Sequence, residues 1–208
     1  ILYIQLIMFQ HMGRFASSQR CLDEMRAVLE VIEHDARWQE QTVLSGWATI
    51  LLALSHGEFA AAHAASSDLL AFVQNNDVPF YPWRAENGTR FAQRQLHGFV
   101  SISARLLGDY PTAWAHVEAA CTLSEEMGEQ RFRAGDLQDM GMLLQLAGDY
   151  DAARAMAQRG LALSQSYDDQ ISSAYAELTL GQIELDAGHL TLAGEYCRRS
   201  LDVALEIG

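Results

Sequence analysis

Lysine is absent from this chain. All 14 basic side chains are arginines, and they stand against 27 acidic ones, so the formal net charge is −13. A chain without lysine cannot contain a phosphate-binding loop that ends in Gly-Lys-Ser/Thr, a Schiff-base lysine or a kinase-type lysine. The negative charge argues against a surface for nucleic acid or for an anionic membrane. We therefore expect a protein that is not an enzyme and that makes no direct contact with nucleic acid or with a membrane.

Cysteine is also scarce, and the other residues that bind metals or act as nucleophiles form no recognisable motif. Three cysteines occur far apart without a Cys-x-x-Cys pair, which excludes a disulfide framework and a zinc site. The seven histidines form no i, i+4 pair, and no Gly-x-Ser-x-Gly elbow occurs. No catalytic residue, metal or cofactor is predicted. We expect Cys21, Cys121 and Cys197 to be small apolar residues of the core.

The apolar segment at residues 1–9 is too short to span a bilayer, which needs about 18 apolar residues or more. It also lacks the basic leader and the cleavage site of a signal peptide. These features predict a cytoplasmic protein. The apolar first helix is a candidate surface for a preceding repeat or for a second copy of the chain, that is, for a homo-oligomer.

A four-residue turn motif with glycine at its second position recurs along the chain. The last three copies align without gaps at intervals of 40 residues, and two fainter copies precede them at intervals of 51 and 44. Glycine adopts the left-handed conformation that ends a helix, and Asp109 and Asp149 follow as helix N-caps. The glycines of the five copies are Gly13, Gly57, Gly108, Gly148 and Gly188.

Small residues flank these turns on both sides, so that two antiparallel helices could approach closely. Seven residues before the glycine stand Ser101, Gly141 and Gly181 in the last three copies. Between the turns, apolar residues recur at i, i+3 and i+4, which is typical of helices. The sequence therefore predicts an all-α solenoid of ten helices in about five hairpins. We expect residues 1–208 to form one repeat domain. Its hairpins would span about 1–36, 37–75, 89–128, 129–168 and 169–208, with an insertion loop at 75–88.

The repeated residues resemble the signature of the tetratricopeptide (TPR) repeat. They are Leu180, Gly181, Gly188, Leu190, Ala193, Ser200 and Leu201 in one copy, Met140, Gly141, Gly148, Tyr150, Ala153, Gly160 and Leu161 in another, and Ser101, Gly108, Tyr110, Ala113 and Ala120 in a third. The resemblance implies a right-handed superhelix. The common TPR repeat has ~34 residues, so a period of 40 implies longer helices.

The long repeat and the closing segment Leu-Asp-Val-Ala-Leu-Glu-Ile-Gly resemble the TPR sensor regions of bacterial LuxR-type, ATP-dependent transcription regulators of the maltose-activator class. This resemblance implies an interaction or sensor domain in signalling, where a protein, a peptide or a small-molecule effector binds to a regulatory segment. The alternative is a free-standing adaptor that holds a peptide or a helix of a partner protein.

In such superhelices the first helix of each hairpin lines a concave groove, so the groove-facing side chains can be predicted by aligning the copies. The same residues could instead pack between neighbouring hairpins, and both interpretations remain open. The predicted set is Tyr3, Ile7, Leu44, Trp47, Leu51, Gln95, Phe99, Ile102, Arg105, Gln138, Met142, Gln145, Tyr175 and Gln182.

The longer interval between the second and third copies places about 11 extra residues in the 75–88 loop. Insertions in repeat proteins often lie on the binding face. The aromatic residues Phe80, Tyr81 and Trp83 could therefore form a lid over the groove, or they could fill a gap between two hairpins that stack irregularly.

Overall fold

The computed structural model describes residue 5 and residues 12–32, 36–78 and 87–207. This part of the chain contains nine α-helices and no β-strand, as predicted. The helices are α1 (Phe15–Val31), α2 (Ala36–Ser55), α3 (Phe59–Gln74), α4 (Gly88–Leu107), α5 (Tyr110–Glu126), α6 (Gln130–Leu146), α7 (Tyr150–Ser166), α8 (Gln170–Asp186) and α9 (Leu190–Ile207). Apart from residue 5, which is helical, the first of the ten predicted helices falls on residues outside the described ones. None of the described helices is both long enough and apolar enough to cross a membrane.

The chain divides into two compact units, Ile1–Thr112 and Ala113–Gly208. In the first unit, α1 packs on α2, α2 on α3, and α3 on α4. Its main core joins α2, α3 and α4 through fully buried aliphatic side chains, among them Val43, Ile50, Val73 and Leu96. A smaller cluster holds α1 against α2 through Leu22 and Met25. Branched aliphatic side chains therefore supply most of the packing in this unit.

The second unit contains α6 to α9 and α5 from Ala113 onward. Helices α6 and α7 form one hairpin and α8 and α9 the next, and the second hairpin stacks on the first through α7 against α8. The core of this stack is built from Ala153 and Ala157 on α7 and from Leu180 and Ile183 on α8. Alanine on one helix and larger aliphatic residues on the other allow the two hairpins to interlock.

Glycines allow the helices of the second unit to pack closely, because they have no side chain at the contact. A Cβ atom built on Gly141 would lie 3.1 Å from the carbonyl oxygen of Ala153, and one built on Gly181 would lie 2.7 Å from Sγ of Cys197. Gly160 approaches the preceding helix in the same way. The prediction that small residues face each other across each hairpin is confirmed in this unit.

The turns of the hairpins have the predicted glycine conformation. The five turn glycines have φ between +66° and +84°. Asp109 and Asp149 cap the following helices, since their carboxylates accept hydrogen bonds from the backbone N–H groups of Thr112 and Ala152 at 3.2 and 3.1 Å. Left-handed residues also occur in the turns between hairpins, where the sequence analysis did not place them: Gly128 with φ +69° and Asp168 with φ +53°.

Asp168 occupies the position that Gly128 holds 40 residues earlier, and it is the one non-glycine residue with positive φ in the described part of the chain. We expect Asp168→Gly to raise the free energy of unfolding by about 0.5–1 kcal/mol, because glycine adopts this conformation without steric cost. Chemical denaturation would measure the gain. Gly128→Asp is the matched control and should lower stability by a similar amount. Equal stability of Asp168→Gly and the unmodified chain would contradict the prediction.

Candidate functional site

The first helices of the two hairpins in the second unit lie side by side. Nε2 of Gln138 on α6 donates a hydrogen bond to the backbone oxygen of Ser172 on α8 at 3.1 Å. Nε2 of Gln145, two turns further along α6, donates to Oδ2 of Asp186 at 2.8 Å. These two bonds join the middle and the C-terminal end of α6 to the two ends of α8 and fix how the helices align.

Three of the predicted groove residues lie on the accessible side of α6 and α8. Met142 is half-buried, Gln182 is exposed, and Tyr175 has 63% of its surface exposed. Together with Gln145 they form what we call the first-helix face. Gly135 stands 40 residues before Tyr175, on the equivalent turn of α6, and a Cβ built there would meet no atom within 4 Å. The face therefore offers an aromatic ring, a thioether and two amides beside a position without a side chain.

Other predicted groove residues are buried or pack against the core. Trp47 is 4% exposed and belongs to the core of the first unit, where its ring meets that of Phe91 edge-on at 5.9 Å. Gln138 is 8% exposed, because its amide crosses to α8. Leu44 and Phe99 pack against the same core as Trp47. The remaining predicted residues of the first unit, all half-buried, are Leu51, Gln95, Ile102 and Arg105.

Several predicted residues lie outside the described part of the chain. They are Tyr3 and Ile7 of the first helix and Phe80, Tyr81 and Trp83 of the insertion. The two ends of the insertion are described and are joined. The backbone N–H of Val78 donates to Oγ1 of Thr89 at 2.9 Å, and this hydroxyl donates to Oδ1 of Asp77 at 2.7 Å.

A buried carboxylate that the sequence analysis did not identify lies between α7 and α8. The side chain of Glu184 is 0% exposed and accepts hydrogen bonds from Nε and Nη2 of Arg154. Nδ1 of His189 lies 2.7 Å from its Oε2, and Arg154 also pairs with Asp151 on the surface. The Arg154 guanidinium is the main reason that the pKa of Glu184 lies below its ordinary value. The two acidic partners in turn raise the pKa of Arg154.

No family model and no curated protein matches the sequence. Solved structures do match, at low identity. The chain aligns over 99% of its length with BtubC from P. vanneervenii (16% identity, 79% of that chain, TM-score 0.69). It aligns over the same share with a Rap protein complexed with Competence and Sporulation Factor (15% identity, 53% of that chain, TM-score 0.77). A third match is with the nearly identical TPR-like repeats of a kinesin light chain from Podospora anserina (10% identity, 99% of this chain and 94% of that chain, TM-score 0.64).

The fold is that of TPR-like repeat proteins. The predicted fold class is confirmed by this likeness and by the nine helices of the described residues. At sequence identities of 10–16%, this likeness shows the fold alone.

The cysteines of this fold differ from one another in burial. Cys21 is buried as predicted, Cys121 is half-buried, and Cys197 is exposed, so the expectation of three core cysteines is wrong for Cys197. Burial raises the pKa of the Cys121 thiol, and the nearby carboxylates of Asp136 and Glu125 raise it further. Cys121 therefore stays protonated near neutral pH and is a poor nucleophile.

Two open depressions lie on the surface, one in each unit. The first has a volume of about 310 Å³ and lies between Arg131 and the turn before α8. The second, of about 490 Å³, lies beside the turn between α2 and α3 and is bordered by Leu107. Within the described residues, no group of three or more His, Cys, Asp or Glu side chains is arranged to hold a metal ion.

Proposed function

We propose that the chain is a non-catalytic interaction domain that binds a peptide or a helix of a partner protein on the first-helix face of α6 and α8. The observation that carries the proposal is Tyr175, a large aromatic side chain with 63% of its surface exposed in the middle of a regular helix. Tyrosine and methionine are enriched in protein interfaces, and tyrosine is among the residues that contribute most to binding.

The first-helix face has the groups that a peptide needs. The Tyr175 ring and the Met142 side chain would cover an apolar anchor of the partner. The amide of Gln182 and the amide oxygen of Gln145, whose nitrogen donates to Asp186, could pair with polar groups of its backbone. Since Gly135 carries no side chain beside the tyrosine, the partner could approach the backbone of α6 closely. The structural neighbour that was solved together with Competence and Sporulation Factor supports binding by this fold.

We further propose that this domain serves as the effector- or protein-binding regulatory segment of a bacterial transcription regulator. The support is the sequence resemblance to LuxR-type regulators through the 40-residue period and the closing segment of the chain. In that role the ligand would be a peptide, a protein or a small molecule. A free-standing adaptor is the alternative, and its ligand would be a peptide or a helix. Both proteins would act in the cytoplasm.

The test is a selection from a displayed library of random 15-residue peptides on the full chain, followed by titration of the enriched peptides. We expect Tyr175→Ala to weaken binding at least ~10-fold, since it removes an exposed aromatic contact worth about 1.4 kcal/mol or more. Tyr167→Ala is the matched control, because Tyr167 is also exposed but lies in the turn after α7. It should change the affinity less than about twofold.

The proposal fails if no peptide is enriched, or if the enriched peptides bind Tyr175→Ala as tightly as the unmodified chain. A parallel thermal-shift screen against sugars, nucleotides and metabolites separates the two roles. A small molecule present at 100 times its Kd would add ~2.7 kcal/mol to stability and would favour the effector-binding regulator. Peptide binding without such a response would favour the adaptor.

A further inference from the structure

The negative charge of the chain is concentrated in the second unit. Ala113–Gly208 contains 16 acidic side chains and 6 arginines, whereas Ile1–Thr112 contains 11 acidic side chains and 8 arginines. Three of the six arginines, Arg133, Arg154 and Arg199, are each paired with a carboxylate of the same unit. The second unit therefore has a negative potential, which attracts basic partners and repels acidic ones.

The two helices that carry the first-helix face have little positive charge. Helix α8 contains no basic side chain, and the two arginines of α6, Arg131 and Arg133, both lie in its first turn. Arg131 borders the depression at the start of α8 together with Asp168 and Asp169. From Gly135 onward, the charged side chains of α6 and of the whole of α8 are all acidic.

The first-helix face is accessible on α6 as well as on α8. Helix α8 lies beside α6, yet Met142 stays half-buried, and a Cβ on Gly135 would meet no atom within 4 Å. A hairpin that follows in the array therefore does not cover this side of a first helix. Tyr175 and Gln182 lie 40 positions after these two residues and occupy the same side of α8.

Asp186 places a carboxylate at the C-terminal end of this face. It is the last residue of α8 and is exposed, and its Oδ2 accepts a hydrogen bond from Nε2 of Gln145 at 2.8 Å. A carboxylate can accept about four hydrogen bonds, so this one has capacity for a further donor. The bonds from Gln138 and Gln145 run to the start and to the end of α8, so α6 and α8 point in the same direction. The negative ends of both helix dipoles thus lie near Asp186 and favour a cation there.

Tyr175 and Asp186 are within reach of one short peptide. They are 11 residues apart on α8, close to three helical turns, so they lie on the same side of the helix and about 16 Å apart along its axis. An extended chain covers this distance with about five residues, since each residue adds about 3.3 Å. Gln182 lies between them on the same side.

We propose that the partner of the first-helix face is a basic segment of a protein. An apolar side chain of this segment packs on Tyr175 and Met142, and an arginine or lysine about five residues away binds the carboxylate of Asp186. Arginine fits best, because its planar guanidinium can donate to the carboxylate and to the amide oxygen of Gln145 at once. This inference rests on the proposed function and adds the charge of the partner to it.

The 15-residue peptides that the full chain enriches from a random library test this inference. We expect them to carry a net positive charge, and we expect their affinity to fall at least about threefold when NaCl is raised from about 0.05 to 0.5 M. Asp186→Asn should weaken binding about threefold to fivefold, since it removes one charge of an exposed ion pair. Asparagine keeps an oxygen that can accept the bond from Gln145, so the contact between α6 and α8 is retained.

Asp202→Asn is the matched control, because it changes the net charge equally at an exposed residue of α9. It should change the affinity less than about 1.5-fold, since salt screens charges that do not touch the peptide. Replacing each arginine and lysine of the peptide in turn by glutamine identifies the residue that binds Asp186. That replacement should weaken binding to the unmodified chain and have almost no further effect on Asp186→Asn.

The outcomes separate this inference from the proposed function. Enriched peptides that depend on Tyr175 but are neutral or acidic would overturn the inference and leave the proposed function standing. The same holds for basic peptides that bind Asp186→Asn as tightly as the unmodified chain. If no peptide is enriched, both proposals fail.

Discussion

Replacing Arg154 with leucine is expected to lower the free energy of unfolding by about 3–5 kcal/mol, because it leaves a buried carboxylate without its main partner. The side chain of Glu184 is 0% exposed, and Arg154 donates to both of its oxygens. Without the guanidinium, Glu184 keeps only His189, which itself is largely exposed. Urea denaturation of the variant and the unmodified chain would measure the difference.

Two further variants and a pH series decide whether the loss comes from this ion pair. Asp151→Ala removes only the 97% exposed partner and should cost less than about 1 kcal/mol. The double variant Arg154→Leu/Glu184→Leu should regain most of the loss, because no buried charge remains. The arginine holds the pKa of Glu184 below its ordinary value of 4.5, so the contribution is complete above pH 4.5 and disappears as the pH falls through the pKa of the folded state. A difference in stability that stays constant from pH 7 to strongly acidic pH would contradict this explanation.

Gly160→Ala is expected to destabilise the second unit by about 1–3 kcal/mol through overpacking. A Cβ at this position would lie 2.9 Å from the carbonyl oxygen of Ala134 and 3.2 Å from Cγ of Gln138. The first of these atoms belongs to the backbone of α6, so relief requires the two helices to move apart. Thermal and chemical unfolding would both report the loss.

The same substitution at Gly135 is the control, and it should act in the opposite direction. Gly135 lies within α6, where a Cβ would meet no atom within 4 Å. Alanine there should raise stability by about 0.5–1 kcal/mol, because glycine loses more conformational freedom in a helix. If both variants raised stability, helix propensity rather than the close approach of α7 to α6 would govern Gly160.

The fold could be predicted because its determinants are local and repeat in the sequence. A left-handed glycine, an aspartate cap and a small residue seven positions before the glycine each have a direct physical meaning, and the helices and turns follow from them. Asp168 marks the limit of this reasoning. It adopts the left-handed conformation of a turn between hairpins, but the sequence has no glycine at this position from which the conformation could be predicted.

The candidate site was less predictable, because burial depends on side chains of other helices. Aligning the copies predicts on which face of its helix Trp47 or Gln138 lies. It does not predict how much of the side chain is buried. Trp47 is buried by α3 and α4 residues such as Phe91, and Gln138 by its bond to α8. Two of the predicted groove residues, Tyr175 and Gln182, are exposed because no other helix in the described part of the chain covers them.

The sequence contains a signal from which the buried ion pair of Arg154 and Glu184 could have been predicted. The residue 40 positions before Glu184 is the apolar Leu144. The equivalents of Arg154 in the neighbouring copies are Trp114 and Gly194, so this arginine and this glutamate are both exceptions to their columns. Two exceptions of opposite charge, on helices that are adjacent in the array, predict a pair.

The stacking of the second unit also determines how it comes apart. Each of its hairpins packs on the hairpin next to it in sequence, so the contact order is low and folding should be fast. In such an array, opening proceeds from an end, one hairpin at a time. Among the described residues of this unit, α8 and α9 stack on a neighbouring hairpin on one side, through α7 and α6. In the chain as given, their amide hydrogens would therefore exchange with solvent through a smaller opening than those of α6 and α7.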